Sequence, residues 1–201
     1  MSNIQSKSRK QAGISGSTEQ PNKEVGLIVV EVDPPSAASV APWYAVADLV
    51  DAFAIHLPPD STADPLRLAS FVFATQPGWV AKLMCVRDTL VRPFGIKTAT
   101  KLRTEQRTSG AQHIGIFRVF DCDESEVVLG EDDRHLDFRV SVLHQSQMKS
   151  DGAWDARLIV TTVVRCHNWL GRLYITAIRY FHRRVVIASL QHAARRGWPE
   201  A

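Results

Sequence analysis

A row of side chains able to do acid–base chemistry lies within the segment Arg134–Leu143 of this chain. If the segment is a strand, alternation places four polar side chains on one face: His135, Asp137, Arg139 and Ser141. A histidine beside a carboxylate can transfer protons, and an arginine can bind a substrate carboxylate. The same alternation is typical of the solvated face of an antiparallel sheet, which is the favoured interpretation. His135, Asp137 and Arg139 remain catalytic candidates.

A second candidate is His167, in the segment Arg165–Asn168. Cys166 precedes it directly, so the two side chains point to opposite faces of a strand and cannot form a Cys–His pair. His167 could seat, and Asn168 could cap, the start of a helix that follows. Alternatively, the positive start of that helix could bind a ligand anion together with Arg165. The sequence favours the structural role of His167 and Asn168 at the helix start, and anion binding remains the alternative.

Metal and cofactor chemistry has no recognisable motif in the chain. The seven histidines show no H-x-x-x-H spacing, and the three cysteines form no C-x-x-C pair, so neither a metal site nor a disulfide framework is predicted. A phosphate-binding loop, a G-x-S-x-G motif and the dinucleotide fingerprint G-x-G-x-x-G are all missing. We therefore predict no cofactor, NAD included, and hydrolase and nucleotidase functions are disfavoured.

Composition predicts one soluble globular domain. The chain has 201 residues, 45% of them hydrophobic and 22% charged, with a formal net charge of +3. That charge does not indicate a nucleic-acid partner, and no run approaches the roughly 18 apolar residues of a membrane span. We expect a disordered tail over residues 1–24, one domain over residues 25–197 and a short tail over residues 198–201. The odd number and wide separation of the three cysteines favour a cytoplasmic location.

Hydrophobic periodicity predicts an α+β fold, in which a curved antiparallel sheet is covered by a helix pair and a long carboxy-terminal helix. The predicted strands are Asp51–Leu57, His113–Phe120, Glu126–Gly130, Arg134–Leu143 and Arg157–His167, and Val25–Val32 is predicted to be an edge strand or an extended lead-in. Asp64 and Pro65 are typical of a helix start, a second helix is expected from Trp79 to Leu90, and Arg92–Gly95 ends it. Thr98–Gly110 is predicted to be a loop. The last helix should run from the cap Asn168 to Arg196, before Gly197.

The last helix lies in a segment, from Ala156 to Pro199, that contains no acid. One stripe at helical spacing is predicted to face the core, namely Tyr174, Ala177, Phe181, Val185 and Ala188, with Arg172, Thr176, Arg179 and Arg183 opposite. The alternatives are a cavity wall, a membrane-surface helix or a contact for an acidic partner. Further apolar residues outside the stripe, Ile175, Val186 and Ile187, suggest a second contact such as a dimer face or a lid.

Four strings, in this order, resemble those of a bacterial family, the domain-of-unknown-function family 2867: Trp79–Met84, Arg87–Gly95, Val127–Arg139 and Thr162–Arg172. The resemblance covers roughly residues 30–196. It implies a chain that occurs alone or as an appendage to a short-chain-dehydrogenase-like NAD-binding domain, and it implies no catalytic residues. The order of elements also resembles the helix-grip layout of the START and Bet v 1 superfamily, which implies an apolar ligand held between the sheet and the last helix.

Three hypotheses follow for function. The first is a binding module for a small apolar or amphipathic ligand, in a cavity lined by Phe53, Ile55, Phe138, Val140, Tyr174 and Phe181. The second is an interaction protein that docks on an acidic partner, on anionic lipid or on a separately encoded dehydrogenase-like subunit, or that forms a homodimer. The third is a cyclase- or isomerase-like enzyme that uses His135, Asp137, Arg139 or His167.

Overall fold

The structure, a computed structural model, describes residues 27–80, 82–83, 85, 112–148, 152 and 154–201. The predicted tail 1–24, the helix end at Arg92–Gly95 and the loop Thr98–Gly110 lie outside the described residues. The second predicted helix is described only at residues 79, 80, 82, 83 and 85, all of which are helical.

Among the described residues, seven strands form one antiparallel sheet in the spatial order β1-β2-β7-β6-β5-β4-β3. Their bounds are β1 Val29–Glu31, β2 Leu49–Leu57, β3 His113–Ile114, β4 Phe117–Cys122, β5 Glu126–Asp132, β6 Leu136–Met148 and β7 Trp154–Cys166. The two long strands β6 and β7 form the centre of the sheet, and β2 pairs along its whole length with β7. The predicted sheet is confirmed, and its first strand lies at an edge.

Two α-helices and one 3-10 helix are described from end to end: α1 Pro65–Ala74, α2 Trp169–Arg196 and the 3-10 helix Ala41–Val46. The Asp64 carboxylate accepts hydrogen bonds from the backbone N–H groups of Leu66 and Arg67 at the start of α1. The Asn168 side chain accepts one from Gly171 at the start of α2, so both predicted caps are confirmed. The fold is α+β and helix-grip-like. No helix in the described part of the chain is long and apolar enough to cross a membrane.

One face of the sheet, called the inner face, packs against both helices. The larger apolar group on this face joins the sheet to α1 and to the second half of α2, through residues that include Phe53, Ile55, Leu129, Leu158, Leu68, Val72, Val186 and Leu190. A smaller group joins the sheet to the first half of α2, through Leu136, Val164, Cys166 and Ile175. The long helix therefore rests on two apolar supports.

The opposite, outer face is also covered, by the segment of residues 33–47. Ala38 and Val40 pack on Val128 and Val163 of the sheet, beside half-buried Trp43 and Tyr44. The outer-facing alanines of β2, Ala52 and Ala54, are buried as well. The prediction of a half-buried strand at residues 51–57 is therefore wrong, because Ala52 and Ala54 on the face expected to be solvated pack with Leu143, Ile159 and the partly buried Val32.

The buried face of α2 differs from the predicted stripe. The buried residues are Gly171, Ile175, Val186, Ser189, Leu190 and Ala193, whereas Ala177 and Phe181 are exposed. The physical reason lies in packing, because Ile175 joins the smaller apolar group while Val186 and Leu190 join the larger one. In that orientation Arg172, His182 and Arg183 lie within reach of Asp48, Asp51 and Glu31, respectively.

The last residues of the chain are attached to the domain. Trp198 is buried, and its ring centroid lies 6.0 Å from that of Phe71 in α1. Glu200 forms a β-bridge with Ser61, and the backbone N–H of Ala201 donates to the carbonyl of Asp60. Residues 198–201 thus close the end of the larger apolar group.

Candidate functional site

His135 lies in the turn before β6, because that strand begins at Leu136. The predicted row of polar side chains would have required the strand to include His135. Its side chain is buried, and Nδ1 lies 3.1 Å and 3.3 Å from the two amide atoms of Asn168. Its carbonyl oxygen accepts a hydrogen bond from the backbone N–H of His167. His135 therefore supports the residue that caps α2, and it does not share a face with Asp137 and Arg139.

His167 and Asp137 do come together. The His167 Nε2 atom lies 2.9 Å from an Asp137 carboxylate oxygen, across the pairing of β7 with β6, and both side chains are partly exposed. A histidine oriented by a carboxylate is one half of an acid–base arrangement. The short distance and the partial exposure of both side chains match a cross-strand ion pair.

Asp48 joins three elements near the same end of the sheet. One carboxylate oxygen accepts a hydrogen bond from the backbone N–H of Cys166 at 2.7 Å, and the other lies 3.1 Å from Nε of Arg172. The hydrogen bond from Cys166, together with Arg172, holds the pKa of Asp48 below its usual value. Burial and the nearby Asp48 raise the pKa of the Cys166 thiol to about 11. Cys166 is therefore not a nucleophile near neutral pH.

The lowered pKa of Asp48 predicts an acid-dependent loss of stability. Its contribution is present above the unfolded-state pKa and is lost as the pH falls through the lower pKa of the folded state. In the Asp48→Asn variant we expect a lower free energy of unfolding at neutral pH and a difference from wild type that shrinks steadily below about pH 4. Urea unfolding between neutral and acidic pH measures this. Asp33→Asn, which removes an exposed carboxylate, is the matched control, and a constant difference at all pH values would contradict the prediction.

Arg139 is held inside the outer layer. Its guanidinium carbon lies 3.5 Å from the centroid of the Phe120 ring and 4.8 Å from that of Trp43. Its Nη1 atom lies 2.8 Å from a carboxylate oxygen of Asp132. Stacking and charge pairing occupy the guanidinium group, so Arg139 fixes the segment of residues 33–47 to the sheet.

A buried carboxylate, Glu126, makes the second attachment of this layer, and no sequence pattern had indicated it. Its oxygens accept hydrogen bonds from the Ser141 hydroxyl and, at 2.8 Å, from the backbone N–H of Ser39. Nearby Tyr44 donates its hydroxyl to the carbonyl of Pro35 at 3.0 Å. Burial and the Glu126 charge raise the pKa of Tyr44. The group is internally satisfied, and it binds the outer layer to the sheet.

The six predicted ligand-lining residues occupy three different environments. Phe53, Ile55 and Val140 are packed in the larger apolar group, and Phe138 lies between both groups. Tyr174 is half-buried beside the smaller group. Phe181 is exposed and lies on the side of α2 that faces away from the buried residues. The sheet and helix thus bring five of the six to one interface and leave Phe181 outside it.

A polar layer separates the two apolar supports of α2. Asp51 on the inner face is 7% exposed, and His182 Nε2 lies 3.4 Å from its carboxylate. Thr162, opposite Asp51 in the sheet, has a buried hydroxyl without a hydrogen-bond partner among the described residues. Asp51 also lines an open surface pocket of about 620 Å³ at the sheet edge. The strand pattern in the sequence already indicated that Asp51 is buried, because residue 51 shares the face of Phe53, Ile55 and Leu57.

An apolar surface covers the outward side of the first half of α2. Its members, called the outer strip, are Trp169, Leu173, Tyr180 and Phe181, which are 73%, 58%, 58% and 51% exposed. The rings of Tyr180 and Phe181 contact each other edge to face, and the guanidinium of Arg184 lies 4.8 Å from the Tyr180 ring centroid. Four exposed large apolar side chains on the outward side of one helix are typical of an interaction site.

A comparison with protein families matched residues 43–189 to a family described as "Protein of unknown function (DUF2867)". The match includes β2, α1, β3 to β7 and the first three quarters of α2. It therefore contains residues that point to either face of the sheet. No curated protein and no solved structure matches the chain.

Proposed function

The chain belongs to the DUF2867 family, whose description states no activity, and we propose that it is an interaction protein that binds a partner through the outer strip of α2. One observation carries the proposal: four large apolar side chains on one helix face are more than half exposed, directly opposite the residues that anchor the helix. Folding alone does not require them, since the sheet is already covered by Ile175, Val186 and Leu190.

The same surface is suited to an accessory role. The second half of α2 is anchored in the larger apolar group, so the first half presents the outer strip on a rigid support. A rigid, preformed surface loses little conformational freedom on binding. An accessory role toward a dehydrogenase-like subunit is one form of this proposal. The free thiols of Cys122 and Cys166 support a reducing compartment such as the cytoplasm.

Site-specific photo-crosslinking tests the proposal. A photoreactive phenylalanine analogue replaces Leu173 in the native host, and the same analogue at exposed Val46, far from α2 in the sequence, is the matched control. We expect an adduct of defined mass from position 173, none of that mass from position 46, and loss of the adduct when Phe181→Asp is added. Identical adducts at both positions, or none, would count against partner binding by this strip.

A second candidate function, binding of a small amphipathic ligand, is supported by the polar layer. The Thr162 hydroxyl, which has no hydrogen-bond partner among the described residues, lies with the Asp51 carboxylate between two apolar groups. A ligand with a polar end and an apolar body would find complementary surfaces there. The test is thermal unfolding with single-chain alkyl amines, alcohols and carboxylates. A rise in Tm for the wild type that is lost in Asp51→Asn supports this function, and an unchanged wild-type Tm rejects it.

A further inference from the structure

A cleft between α1 and the end of α2 supports an inference that does not depend on the outer strip. We propose that this cleft, called the arginine cleft, binds a small organic anion, namely an apolar body that carries a carboxylate or a phosphate. The volume of the cleft is about 370 Å³, and the residues that line it include Arg67, Ser70, Phe71, Arg196 and Pro199. Its construction, its charge, a neighbouring buried donor and its size each contribute one step to this assignment.

The arginine cleft is built from parts of the chain that are distant in the sequence. Residues of α1 form one wall, and the last residue of α2 and the segment after it form the other. Pro199 is held in place because its carbonyl accepts a hydrogen bond from the backbone N–H of Thr62 at 2.8 Å. The Phe71 ring packs against buried Trp198, with ring centroids 6.0 Å apart. Both walls are therefore attached to the domain, and a preformed site loses little conformational freedom on binding.

The charges in the cleft favour an anion. No Asp or Glu is among the described residues that line it. Arg67 and Arg196 are exposed, and neither has a carboxylate partner in the described part of the chain. Arg67 Nη1 lies 3.5 Å from the Thr62 hydroxyl oxygen, and the Arg196 guanidinium carbon lies 4.4 Å from the centroid of the Phe71 ring. These contacts leave most of the guanidinium N–H donors available for a carboxylate or a phosphate, which arginine binds bidentately.

A buried donor beside the cleft favours the same charge. Trp198 is 9% exposed, and its indole N–H has no hydrogen-bond partner among the described residues. Its ring contacts Phe71, and the residue that follows it, Pro199, lines the cleft. A buried N–H group without an acceptor is costly. An oxygen of an anion is able to accept from such a donor, whereas an ammonium group is not.

The remaining surface of the cleft is apolar. Leu66, Phe71, Ala74 and Pro199 line it beside the two arginines, so the ligand should carry an apolar body next to its charged end. The volume of about 370 Å³ lies near the lower end of the range for small-molecule pockets, about 300–1,000 Å³. A stable protein partner would cover about 800 Å² on each side, with about 20–30 residues. The cleft is too small for that, and its occupant is therefore a small molecule.

The test is a ligand titration followed by heteronuclear NMR of the isotope-labelled full chain. Three probes share a phenyl body, namely phenylbutyrate, phenylpropyl phosphate and phenylbutylamine, and acetate and inorganic phosphate are anions without such a body. The indole N–H resonance of Trp198 reports binding at the cleft. We expect this resonance to shift saturably with phenylbutyrate or phenylpropyl phosphate, at a dissociation constant of about 1 mM or below, and not to shift with the other three compounds. The tighter of the two organic anions identifies the charged group of the ligand.

Single variants test the role of the two arginines. Arg67→Gln and Arg196→Gln should each weaken binding of the tighter organic anion by at least about tenfold, because each removes one charged bidentate donor. Arg195→Gln is the matched control, since it removes the same charge from an exposed position that does not line the cleft. We expect it to change the dissociation constant by less than about twofold. Circular dichroism checks that the variants are folded.

Unchanged binding in both Arg67→Gln and Arg196→Gln would overturn the proposal. Binding of the amine, or of acetate or inorganic phosphate, as tight as that of the organic anions would also overturn it. If neither organic anion shifts the Trp198 resonance, or if the shifts are confined to residues around Asp51 in the polar layer, the arginine cleft is not the binding site. Crosslinking from position 173 does not depend on any of these results, so the proposed function of the outer strip is tested separately.

Discussion

Replacing Phe53 by alanine is expected to lower the free energy of unfolding by about 4 kcal/mol, whereas the same change at Phe181 should cost at most about 0.5 kcal/mol. Both residues were predicted from the sequence to line one ligand cavity. In the structure Phe53 is 1% exposed and packs among Ile55 and Leu190, while Phe181 is on the surface. Removing the Phe53 ring leaves a cavity that a packed interface cannot close.

Urea unfolding of the two variants and the wild type measures this difference. Phe181→Ala is the matched control, because it removes the same side chain from the same predicted set. A loss below about 1 kcal/mol for Phe53→Ala would contradict a packed sheet–helix interface and would favour an open cavity there. The two variants thus also distinguish the second candidate function from a fully packed interior.

Replacing Gly171 by alanine is expected to destabilise the protein by about 3 kcal/mol, the upper end of the usual cost of overpacking. A β-carbon at this position would overlap the carbonyl oxygen of His135 and would lie 3.3 Å from Cβ of Cys166. Neither neighbour is the free end of a flexible side chain. Relief would require the His135 turn or the start of α2 to move, which would break the Asn168 cap.

Gly78→Ala is the matched control, because an added β-carbon there meets nothing within 4 Å. We expect its Tm to equal that of the wild type or to rise slightly, since alanine favours helix more than glycine does. Thermal unfolding followed by circular dichroism compares the variants. A Gly171→Ala protein with wild-type Tm would show that the His135 turn is able to adapt, and the close approach of α2 to the sheet would then not be essential.

Local signals allowed much of the fold to be predicted from the sequence. Asp64 and Asn168 cap their helices because a side-chain oxygen beside free backbone N–H groups is a local requirement. The strand prediction succeeded where alternation is regular, as in β6. His135 was misplaced because the turn continues to this residue, where Asp133 accepts its backbone N–H. Because β6 begins at Leu136, two residues later than predicted, His135 lies beside the helix cap and outside the strand.

The face of α2 could not be predicted, because apolar residues surround the first half of the helix. Helical spacing alone does not determine whether Phe181 or Ile175 is buried in the core. The decision depends on apolar residues that are distant in the sequence, since Ile175 packs in a group that includes Leu136 and Leu49. Likewise, no local pattern indicates that residues 33–47 cover the outer face. Glu126 and Arg139, which hold that segment on the sheet, are distant from it in the sequence.

The sheet order has a consequence for synthesis of the chain on the ribosome. Strand β2 emerges early, but the strand that pairs along its whole length, β7, is made more than a hundred residues later, as the 118-residue separation of Asp48 and Cys166 illustrates. Until then the apolar run from Phe53 to Leu57 has only the short β1 beside it. Such late, non-local pairing slows folding and exposes nascent chains to aggregation. The growing chain should therefore depend on chaperones that shield β2 until translation is nearly finished.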